Sequence, residues 1–414
     1  MKKRVCVVTA GHLSTCPRML KAADAFLEAG YSVRLVSAQF MDWATQADKE
    51  LLETRGWQRS VVDYRRNQAP ATYWKTGLRF HAARKWVRML DPDRASLAAC
   101  AAANGRAFRD LLRHAKAQPA DLFYGGTCGG LAVAALAARA AGVPYGLDLE
   151  DFHEGQFEDG PASDHPRQLV RGMLRQVLPE AAFVTAGSSA IAAQYERVYG
   201  IPVLPIHNTF PLPAQAPDPE PSSGDALRLY WFSQTIGAGR GLEDVVRAIG
   251  VSGIRAELHL RGRALPEYVA GLERLAREKS AQLVVRIHEP APPDKMVELS
   301  LPYDVGLSPE SGRVLNRALS LGNKALTYVL AGLAVVLTDT AGQRSLAEDL
   351  GDGALCYRPG DIASLADGLR RWSEDRMLLR HARQAAWQAA KRRWNWEHAS
   401  EKGALVGAMQ GVLC

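Results

Sequence analysis

The chain has 414 residues and a formal net charge of +7, and it is 47% hydrophobic and 23% charged. These values exclude disordered and fibrous classes, and the length exceeds the ~250–300 residues at which one core usually splits, so two domains are expected. No apolar run approaches the ~20 residues that span a bilayer, which argues against a membrane-spanning helix. The basic start leads into a short apolar run that predicts a first strand rather than a signal peptide.

The six cysteines are scattered and form no C-x-x-C pair. This spacing argues against a zinc site and against a dense disulfide framework. We therefore predict a protein of a reducing, cytoplasmic compartment. The positive charge and the pI near 9.1 favour anionic partners.

The first elements in chain order are a strand over residues 4–9, a helix from Pro17 to about residue 29, and a strand over residues 31–37. A strand, a helix and a second strand in this order are typical of a parallel α/β sheet. The turn after the first strand has Gly11 but lacks G-x-G-x-x-G. The missing fingerprint argues against an NAD-dependent dehydrogenase.

Residues 39–93 break the strand and helix rhythm, and within residues 55–90 many Lys and Arg side chains alternate with aromatic ones. One interpretation is a surface that binds an anionic membrane, because Trp with Lys and Arg suits a lipid headgroup layer. The other is an amphipathic helix that packs its aromatic side chains on its own domain.

A helix around residues 96–116, a strand at 122–125, a helix through 127–141 and a strand at 144–149 follow. The last strand runs into DLEDFHEGQFEDG, where acidic side chains and a histidine crowd together. Such groups at the carboxyl end of a parallel strand lie where α/β proteins bind ligands. Three uses stay open: general base or sugar binding, a solvated acidic loop, and a metal site, although H-E-x-x-H is absent. The best candidates are Glu150, Asp151 and His153.

The first half ends with a helix around 167–178, a strand at 182–186, a helix to residue 198 and a strand at 203–206. A proline-rich stretch without apolar periodicity follows and predicts a linker. We predict domains over 1–210 and 226–394, a linker over 211–225, and a final helix over 395–414.

The second half opens with a strand over residues 227–232 and a glycine-containing turn over 233–241. Glycines allow the backbone to wrap a phosphate, and Arg240 adds a planar donor that can pair with it. Further strands at 256–261 and 283–288 continue a parallel sheet. The turn predicts an anion site.

Residues 320–342 read as a short helix with Asn323 as its N-cap and Lys324 in its first turn, a stop at Gly332, and a buried strand. Unpaired N–H groups at the helix start and the Lys324 charge predict a diphosphate site. The alternative is an ordinary helix–turn–strand unit with a solvated surface lysine.

The pattern N-K-x-x-x-Y-x-x-A-G-L-x-V-V-x-x-D-T in this segment resembles the nucleotide-sugar-binding segment of GT-B glycosyltransferases, especially family-4-like bacterial enzymes. The resemblance implies two Rossmann-like α/β domains that face each other across a cleft, with a final helix that crosses back to the first domain. It also implies a nucleotide-diphosphate sugar as donor substrate, no required cofactor, and no metal held by a D-x-D motif.

The resemblance implies roles for individual residues. The expected donor-binding residues are Thr235, Gly237, Gly239, Arg240, Glu289, Glu310, Asn323, Lys324 and Thr327. The expected acceptor-binding residues are Gly11, His12 and Arg18, and the expected catalytic residues are Glu150, Asp151 and His153.

The chain departs from the family pattern at the two glutamates that retaining family-4 enzymes usually carry. The matching positions hold Leu319 and Thr327, so the stereochemistry cannot be carried over. Three functions follow: a glycosyltransferase of surface polysaccharide or glycoconjugate synthesis, a non-catalytic nucleotide-binding or partner subunit, and a nucleotide-sugar epimerase. For the first we expect a nucleotide sugar and a glycan or lipid-linked acceptor as partners, no nucleic acid, and a cytoplasmic or peripheral inner-membrane location.

Overall fold

The computed structural model describes residues 2–53, 55–89, 95–158 and 160–413. The chain divides into two compact units. The first unit comprises Met1–His207, Val314–Asn316 and Lys402–Cys414, and the second comprises Asn208–Arg313 and Arg317–Glu401. The proline-rich stretch 211–225 therefore lies in the second unit.

The first unit is built on a parallel sheet with the strand order β3-β2-β1-β4-β5-β6-β7. Its strands are β1 (Arg4–Thr9), β2 (Ser32–Gln39), β3 (Gln58–Asp63), β4 (Leu122–Gly126), β5 (Tyr145–Leu149), β6 (Phe183–Ala186) and β7 (Leu204–Pro205). The central strands β4 and β5 are buried along their whole length, as expected for a parallel sheet covered on both faces.

The helices of the first unit follow its strands in alternation. They are α1 (Pro17–Glu28), α2 (Asp42–Leu52), α3 (Pro70–Arg88), α4 (Leu97–Asn104), α5 (Phe108–Lys116), α6 (Thr127–Ala141), α7 (Pro161–Val177) and α8 (Ser189–Tyr199). A π-helical turn, Ala399–Gly403, precedes the last helix, α17 (Ala404–Leu413), which contacts α1 and β6. No helix in the described part of the chain is long and apolar enough to cross a bilayer.

Helix α6 packs very closely on the sheet because glycines face it. A Cβ atom on Gly130 would lie 2.9 Å from the carbonyl oxygen of Val8, and one on Gly125 would lie 2.7 Å from the carbonyl oxygen of Gly130. This close approach places the start of α6 beside the end of β1.

The predicted break in the strand and helix rhythm over residues 39–93 is wrong. Helix α2, strand β3 and helix α3 continue the alternation through the described residues, and β3 pairs in parallel with β2 at the sheet edge. The sequence does not predict this strand, because Val62 is its one buried residue and the strand lacks an apolar run.

Three other predicted elements differ from the structure. The helix expected around 96–116 is two helices, α4 and α5, interrupted at Gly105, which has the extended backbone of a helix end. Helix α7 begins at Pro161, earlier than the expected residue 167, because proline suits a first helical position. The strand expected at 203–206 pairs only over Leu204–Pro205.

The second unit is built on a parallel sheet with the strand order β10-β9-β8-β11-β12-β13. Its strands are β8 (Leu227–Ile236), β9 (Ala256–Ala264), β10 (Leu283–His288), β11 (Val305–Ser308), β12 (Ala334–Thr338) and β13 (Ala354–Tyr357). Its helices are α9 (Leu242–Ser252), α10 (Pro266–Lys279), α11 (Met296–Ser300), α12 (Leu315–Leu319), α13 (Asn323–Leu330), α14 (Ala341–Leu350), α15 (Ile362–Glu374) and α16 (Arg376–Arg392), with α12 continuing from the Val314–Asn316 segment of the first unit.

Apolar clusters lie on both faces of the second sheet. One contains residues of α9, α10 and α15, and the other contains residues of α13, α14 and α16. Because both faces are covered by helices, polar side chains of this unit gather at the strand ends, where parallel sheets bind ligands.

Candidate functional site

A glycine loop links β8 to α9 at the carboxyl end of the second sheet. Gly239 and Gly241 have φ angles of +74° and +73°, which side-chain-bearing residues rarely adopt. A Cβ atom on Gly241 would lie only 1.9 Å from the carbonyl oxygen of Pro309. Glycine at this position lets the loop lie directly against the segment that follows β11.

The loop is shorter than the turn predicted over 233–241. Residues 233–236 extend β8 beyond a β-bulge, and Thr235 pairs with Arg263 of β9. Thr235 is thus part of the sheet, and the loop itself spans 237–241. The predicted Gly237 lies within it.

Lys324 and Glu310 form an ion pair beside this loop. The Lys324 ammonium lies 3.0 Å from a Glu310 carboxylate oxygen, and their side chains are only 12% and 10% exposed. Burial alone would raise the pKa of the Glu310 carboxyl. The nearby charges of Lys324, Arg240 and Arg317 outweigh it and hold this pKa below its usual value, so Glu310 is a carboxylate.

Two arginines complete the cluster. Arg240 is half-buried, and burial together with the neighbouring Arg317 charge lowers its pKa while Glu310 opposes that shift. Arg317 donates a hydrogen bond from Nη1 to the Gly239 carbonyl oxygen at 2.8 Å. Three cations therefore surround one carboxylate, and the cluster keeps an excess of positive charge.

Helix α13 begins beside this cluster with an uncapped end. Its N-cap is Gly322, so the prediction that Asn323 is the N-cap is wrong. Asn323 is the first helical residue, and its Oδ1 accepts a hydrogen bond from Asn208 Nδ2 at 2.9 Å. The Ala325 N–H donates to the Gly322 carbonyl oxygen at 3.1 Å. Because no side chain caps the first turn, the N–H groups of Asn323 and Lys324 keep their capacity to bind an anion.

Glu289 and Thr327 are the two remaining predicted donor residues. Glu289 follows β10, and its carbonyl oxygen accepts a hydrogen bond from Arg261 at 2.8 Å. Thr327 is 1% exposed inside α13, so its side chain has little surface for a ligand.

The acidic stretch after β5 in the first unit is held by a hydrogen-bond network. Asn316 donates from Nδ2 to Asp151 Oδ1 at 2.9 Å and accepts from the Phe152 N–H at 2.7 Å. The Tyr195 hydroxyl donates to the Asp151 carbonyl oxygen and accepts from the His153 N–H. Asp151 is thus oriented by two partners distant in sequence.

His153 lies in the 3-10 helix His153–Gly155 and is 3% exposed. Neither of its ring nitrogens has a hydrogen-bond partner among the described residues. Burial lowers the pKa of the imidazole, while the carboxylates of Asp151 and Asp148 oppose that shift. The ring is therefore neutral and keeps one donor and one acceptor for another group.

Glu150 differs from an ordinary surface carboxylate. Burial raises its pKa to about 7; Arg18 opposes this shift, and the neighbouring carboxylates of Asp151 and Asp148 add to it. A carboxyl group with such a pKa can exchange a proton near neutral pH. Within the described residues, no group of three or more His, Cys, Asp or Glu side chains is arranged to hold a metal ion.

His12 and Arg18, predicted to bind the acceptor, have a different role in this geometry. His12 is fully buried; its Nδ1 bonds to Asp48, and its Nε2 accepts from the N–H groups of Phe40 and Met41. No ring nitrogen remains for an acceptor, so this ring joins the loop after β1 to the start of α2.

Arg18 is buried and forms two hydrogen bonds to Asp148, at 2.9 and 2.5 Å, and a third to the Ile206 carbonyl oxygen. Its guanidinium therefore links α1 to β5 rather than facing a substrate. Gly11, the third predicted acceptor residue, is partly exposed in the loop after β1.

Sequence reasoning missed Thr127, Asn316, Tyr195 and Arg317. Thr127 has φ of +59° at the first position of α6, and its Oγ1 accepts a hydrogen bond from the Ala10 N–H at 3.0 Å. A β-branched residue in this region is strained, and such strain concentrates at functional sites. The run Gly125-Gly126-Thr127 at a strand end is the one signal that could have identified it.

Comparison with known proteins relates part of the chain to a family of domains and the whole chain to a known fold. Residues 17–209 match the model of the glycosyl transferase 4-like domain. Among solved structures, Anabaena Alr3699/HepE in complex with UDP and glucose aligns with a TM-score of 0.67, 16% identity and 99% coverage of both chains. The chain has a GT-B fold, and its residues 17–209 match a glycosyltransferase domain.

Other solved structures share this fold. Sucrose-phosphate synthase from Thermosynechococcus elongatus aligns with a TM-score of 0.67, 13% identity and 100% coverage of both chains. A mutant of TarM from S. aureus aligns with a TM-score of 0.66, 9% identity and 99% coverage of both chains. No curated protein sequence matches significantly. The predicted GT-B, Rossmann-like α/β fold is confirmed, and the predicted resemblance to family-4-like glycosyltransferases is confirmed over residues 17–209.

Proposed function

We propose that this protein is a glycosyltransferase that binds a nucleotide-diphosphate sugar through its second unit and transfers the sugar to a glycan or lipid-linked acceptor bound by its first unit. The observation that carries the proposal is the cluster beside the glycine loop, in which Arg240 lies near the Lys324–Glu310 ion pair and leaves an excess of positive charge. UDP is the favoured nucleotide because the similar HepE structures contain UDP or UDP-glucose. Surface polysaccharide or glycoconjugate synthesis is the proposed setting.

In the proposed reaction, the bond between the anomeric carbon and the diphosphate oxygen breaks, and a bond to an acceptor oxygen forms. The leaving diphosphate gains charge as that bond breaks. Arg240, Lys324 and the uncapped start of α13 therefore stabilise the transition state more than the ground state. No metal held by a D-x-D motif is required in this scheme.

The acidic stretch of the first unit supplies the remaining chemistry. Glu150, with a pKa of about 7, takes the proton of the acceptor hydroxyl if the reaction inverts the anomeric centre. His153 and Asp151 hydrogen-bond the sugar, since the unpaired imidazole and the fixed carboxylate complement hydroxyl groups. If the reaction retains the configuration, the proton of the acceptor hydroxyl passes to the leaving diphosphate, and all three residues orient the sugar.

The first experiment is isothermal titration calorimetry with UDP, GDP, CDP and ADP, followed by titration of the variants Lys324→Ala and Arg240→Gln. We expect one nucleotide to bind and each variant to weaken it by ~1.5–3 kcal/mol, the scale of a charge-assisted hydrogen bond. Arg370→Gln is the control, because the hydrogen bonds of Arg370 among the described residues go to the carbonyl oxygens of Ser252 and Val251 and to its helix neighbour Asp367. Equal affinity in wild type and both site variants contradicts the proposed donor site.

The non-catalytic alternative has one observation in its favour: Thr327 stands where a glutamate is expected. Release of UDP from UDP-glucose, with or without an acceptor, separates the two functions. Binding without any release favours a non-catalytic subunit, whereas turnover supports the enzyme.

A membrane-facing role for helix α3 is a further part of the proposal. The side chains of Trp74, Leu78, Trp86 and Met89 are 65%, 75%, 58% and 66% exposed along one side of this helix. Exposed Lys75, Lys85 and Arg88 flank them. Apolar and cationic side chains combined in this way suit an anionic lipid surface.

The alternative, in which the aromatic side chains of residues 55–90 pack on their own unit, describes other members of the cluster. Trp57 is 7% exposed and donates a hydrogen bond to Asp24 at 2.8 Å. The Arg106 guanidinium lies over the rings of Tyr64 and Tyr73. The segment therefore has a packed side and an exposed side.

Sedimentation with vesicles tests this part. We expect binding to phosphatidylglycerol vesicles at low salt, loss of binding as salt rises, and weaker binding of a Trp74→Ala/Trp86→Ala variant. A Val251→Ala/Met377→Ala variant removes two exposed apolar side chains of the second unit and is the matched control. Absence of binding at low salt, or equal loss in both variants, contradicts a role for α3.

A further inference from the structure

The short helix α12 brings a third cation to the glycine loop of the second unit. Arg317 Nη1 donates to the Gly239 carbonyl oxygen at 2.8 Å. A Cβ atom on Gly239 would lie 3.8 Å from the same nitrogen. The guanidinium thus lies directly against the loop that also carries Arg240.

The bond to Gly239 uses only a small part of the hydrogen-bonding capacity of Arg317. A guanidinium has five N–H groups in a planar fork. In the described part of the chain, Nε and Nη2 of Arg317 form no hydrogen bond or ion pair, and the side chain is partly exposed. One edge of the fork is therefore available to a ligand.

The charge balance of the cluster gives this free edge its importance. Lys324 is already neutralised by Glu310 at 3.0 Å. The uncompensated positive charge therefore resides on Arg240 and Arg317. Neither arginine forms an ion pair in the described part of the chain, although the Glu310 charge acts on both. The two arginines repel each other, and a diphosphate placed between them offsets that repulsion.

We propose that Arg317 is a donor-binding residue that holds the glycine loop through Gly239 and binds an oxygen of the donor diphosphate with its free edge. This inference rests on the proposed function, since it assigns a further ligand to the same donor site. The nucleoside part of the donor makes no contact with Arg317 in this assignment. The alternative is a purely structural clamp of the loop.

Calorimetric titration of wild type, Arg317→Gln and Arg317→Lys with UDP, UMP and uridine tests the assignment. We expect Arg317→Gln to weaken UDP binding about 10–100-fold, to weaken UMP less, and to leave uridine unchanged. The dependence of UDP affinity on salt should also become shallower. Arg317→Lys should recover part of the affinity, because it keeps the charge but loses the fork.

Arg370→Gln is the matched control, since Arg370 likewise donates hydrogen bonds to backbone carbonyl oxygens, those of Val251 and Ser252 at the C-terminal end of α9. Its UDP affinity should equal that of the wild type. Wild-type UDP affinity in Arg317→Gln, or an equal loss for UDP and uridine, overturns the phosphate contact and leaves only the clamp. Failure of the wild type to bind any nucleotide overturns the proposed function itself and this inference with it.

Discussion

The Lys324 ammonium lies 3.0 Å from a Glu310 carboxylate oxygen at the edge of the second sheet, and both side chains are largely buried. Each charge has lost most of its hydration, so each depends on the other for compensation. The pair therefore fixes a lysine at the start of α13 without adding net charge. The neighbouring arginines and the uncapped start of α13 add to the attraction of the site for an anion.

Glu310→Ala is expected to lower the free energy of unfolding by about 3 kcal/mol at pH 7, because Lys324 is left buried beside two arginines. The pKa of Glu310 is depressed, so its contribution is present above the unfolded value of 4.5 and is lost as the pH falls through the folded value. Urea unfolding at pH 7 and at pH 4 measures the difference. Glu298→Ala, which breaks the exposed pair with Lys295, should cost less than about 1 kcal/mol. Equal costs for the two variants would show that burial of the pair is unimportant.

Gly241→Ala is expected to destabilise the second unit far more than Gly253→Ala. Both glycines have φ near +70°, so both variants carry a backbone penalty of about 1–2 kcal/mol. Only at Gly241 would the new Cβ also meet a carbonyl oxygen, at 1.9 Å; at Gly253 no atom lies within 4 Å. Guanidinium chloride unfolding of the two variants isolates the cost of the contact with Pro309. A similar stability for both would mean that the loop moves freely away from β11.

Asp148→Ala is expected to cost about 3–5 kcal/mol, because it leaves the Arg18 guanidinium buried without its carboxylate. The Arg18 and Asp148 side chains are 5% and 2% exposed. Glu180→Ala, which breaks the exposed pair with Arg139, provides the comparison and should cost less than about 1 kcal/mol. Chemical denaturation of both variants measures how much the buried Arg18–Asp148 ion pair contributes to the free energy of unfolding. A small effect of Asp148→Ala would return Arg18 to the list of acceptor ligands.

Glu150→Gln is expected to change how stability depends on pH. The pKa of Glu150 is about 7 in the folded chain and 4.5 when unperturbed, so the folded state holds the proton more tightly. The stabilising contribution of the protonated group is complete below pH 4.5 and is lost as the pH rises through about 7. Between pH 4.5 and 8, the wild type should therefore lose up to about 3 kcal/mol relative to the variant. Parallel stability curves for the two proteins would show that the Glu150 carboxyl is unperturbed.

The sequence predicts the proposed donor site of the second unit better than it predicts the candidate residues of the first unit. The local sequence pattern and the family resemblance both indicate the residues of this site. They lie close in the chain to a glycine-containing turn or to a distinctive helix–strand segment, and they are Arg240, Glu310 and Lys324. The structure brings these three together. The exception is Asn323, whose expected capping role falls to Gly322 because Asn323 already has helical backbone and bonds to Asn208.

The sequence could not show which candidate residues of the first unit have side chains available to a ligand. Each candidate lies just beyond a strand or at a helix start and has a side chain of a type that binds substrates. The candidates are His12, Arg18, Glu150 and His153. In the structure, both ring nitrogens of His12 have hydrogen-bond partners, and Arg18 is bonded to Asp148. The ring nitrogens of His153 have no hydrogen-bond partner among the described residues. Sequence spacing carries no information about this difference, since Arg18 and Asp148 are 130 positions apart.

The amino-acid sequence by itself determined the alternating strands and helices, the glycines that permit tight turns, and the charged residues that surround the donor loop. Buried apolar runs and glycine conformations act over a few residues, so they can be read in chain order. Only the tertiary structure decided which polar groups are consumed by partners and which stay free, including the open edge of Arg317 and the bond that fixes Asp151 to Asn316. A hydrogen bond or ion pair forms between groups that the fold brings together, and that proximity has no counterpart in sequence distance.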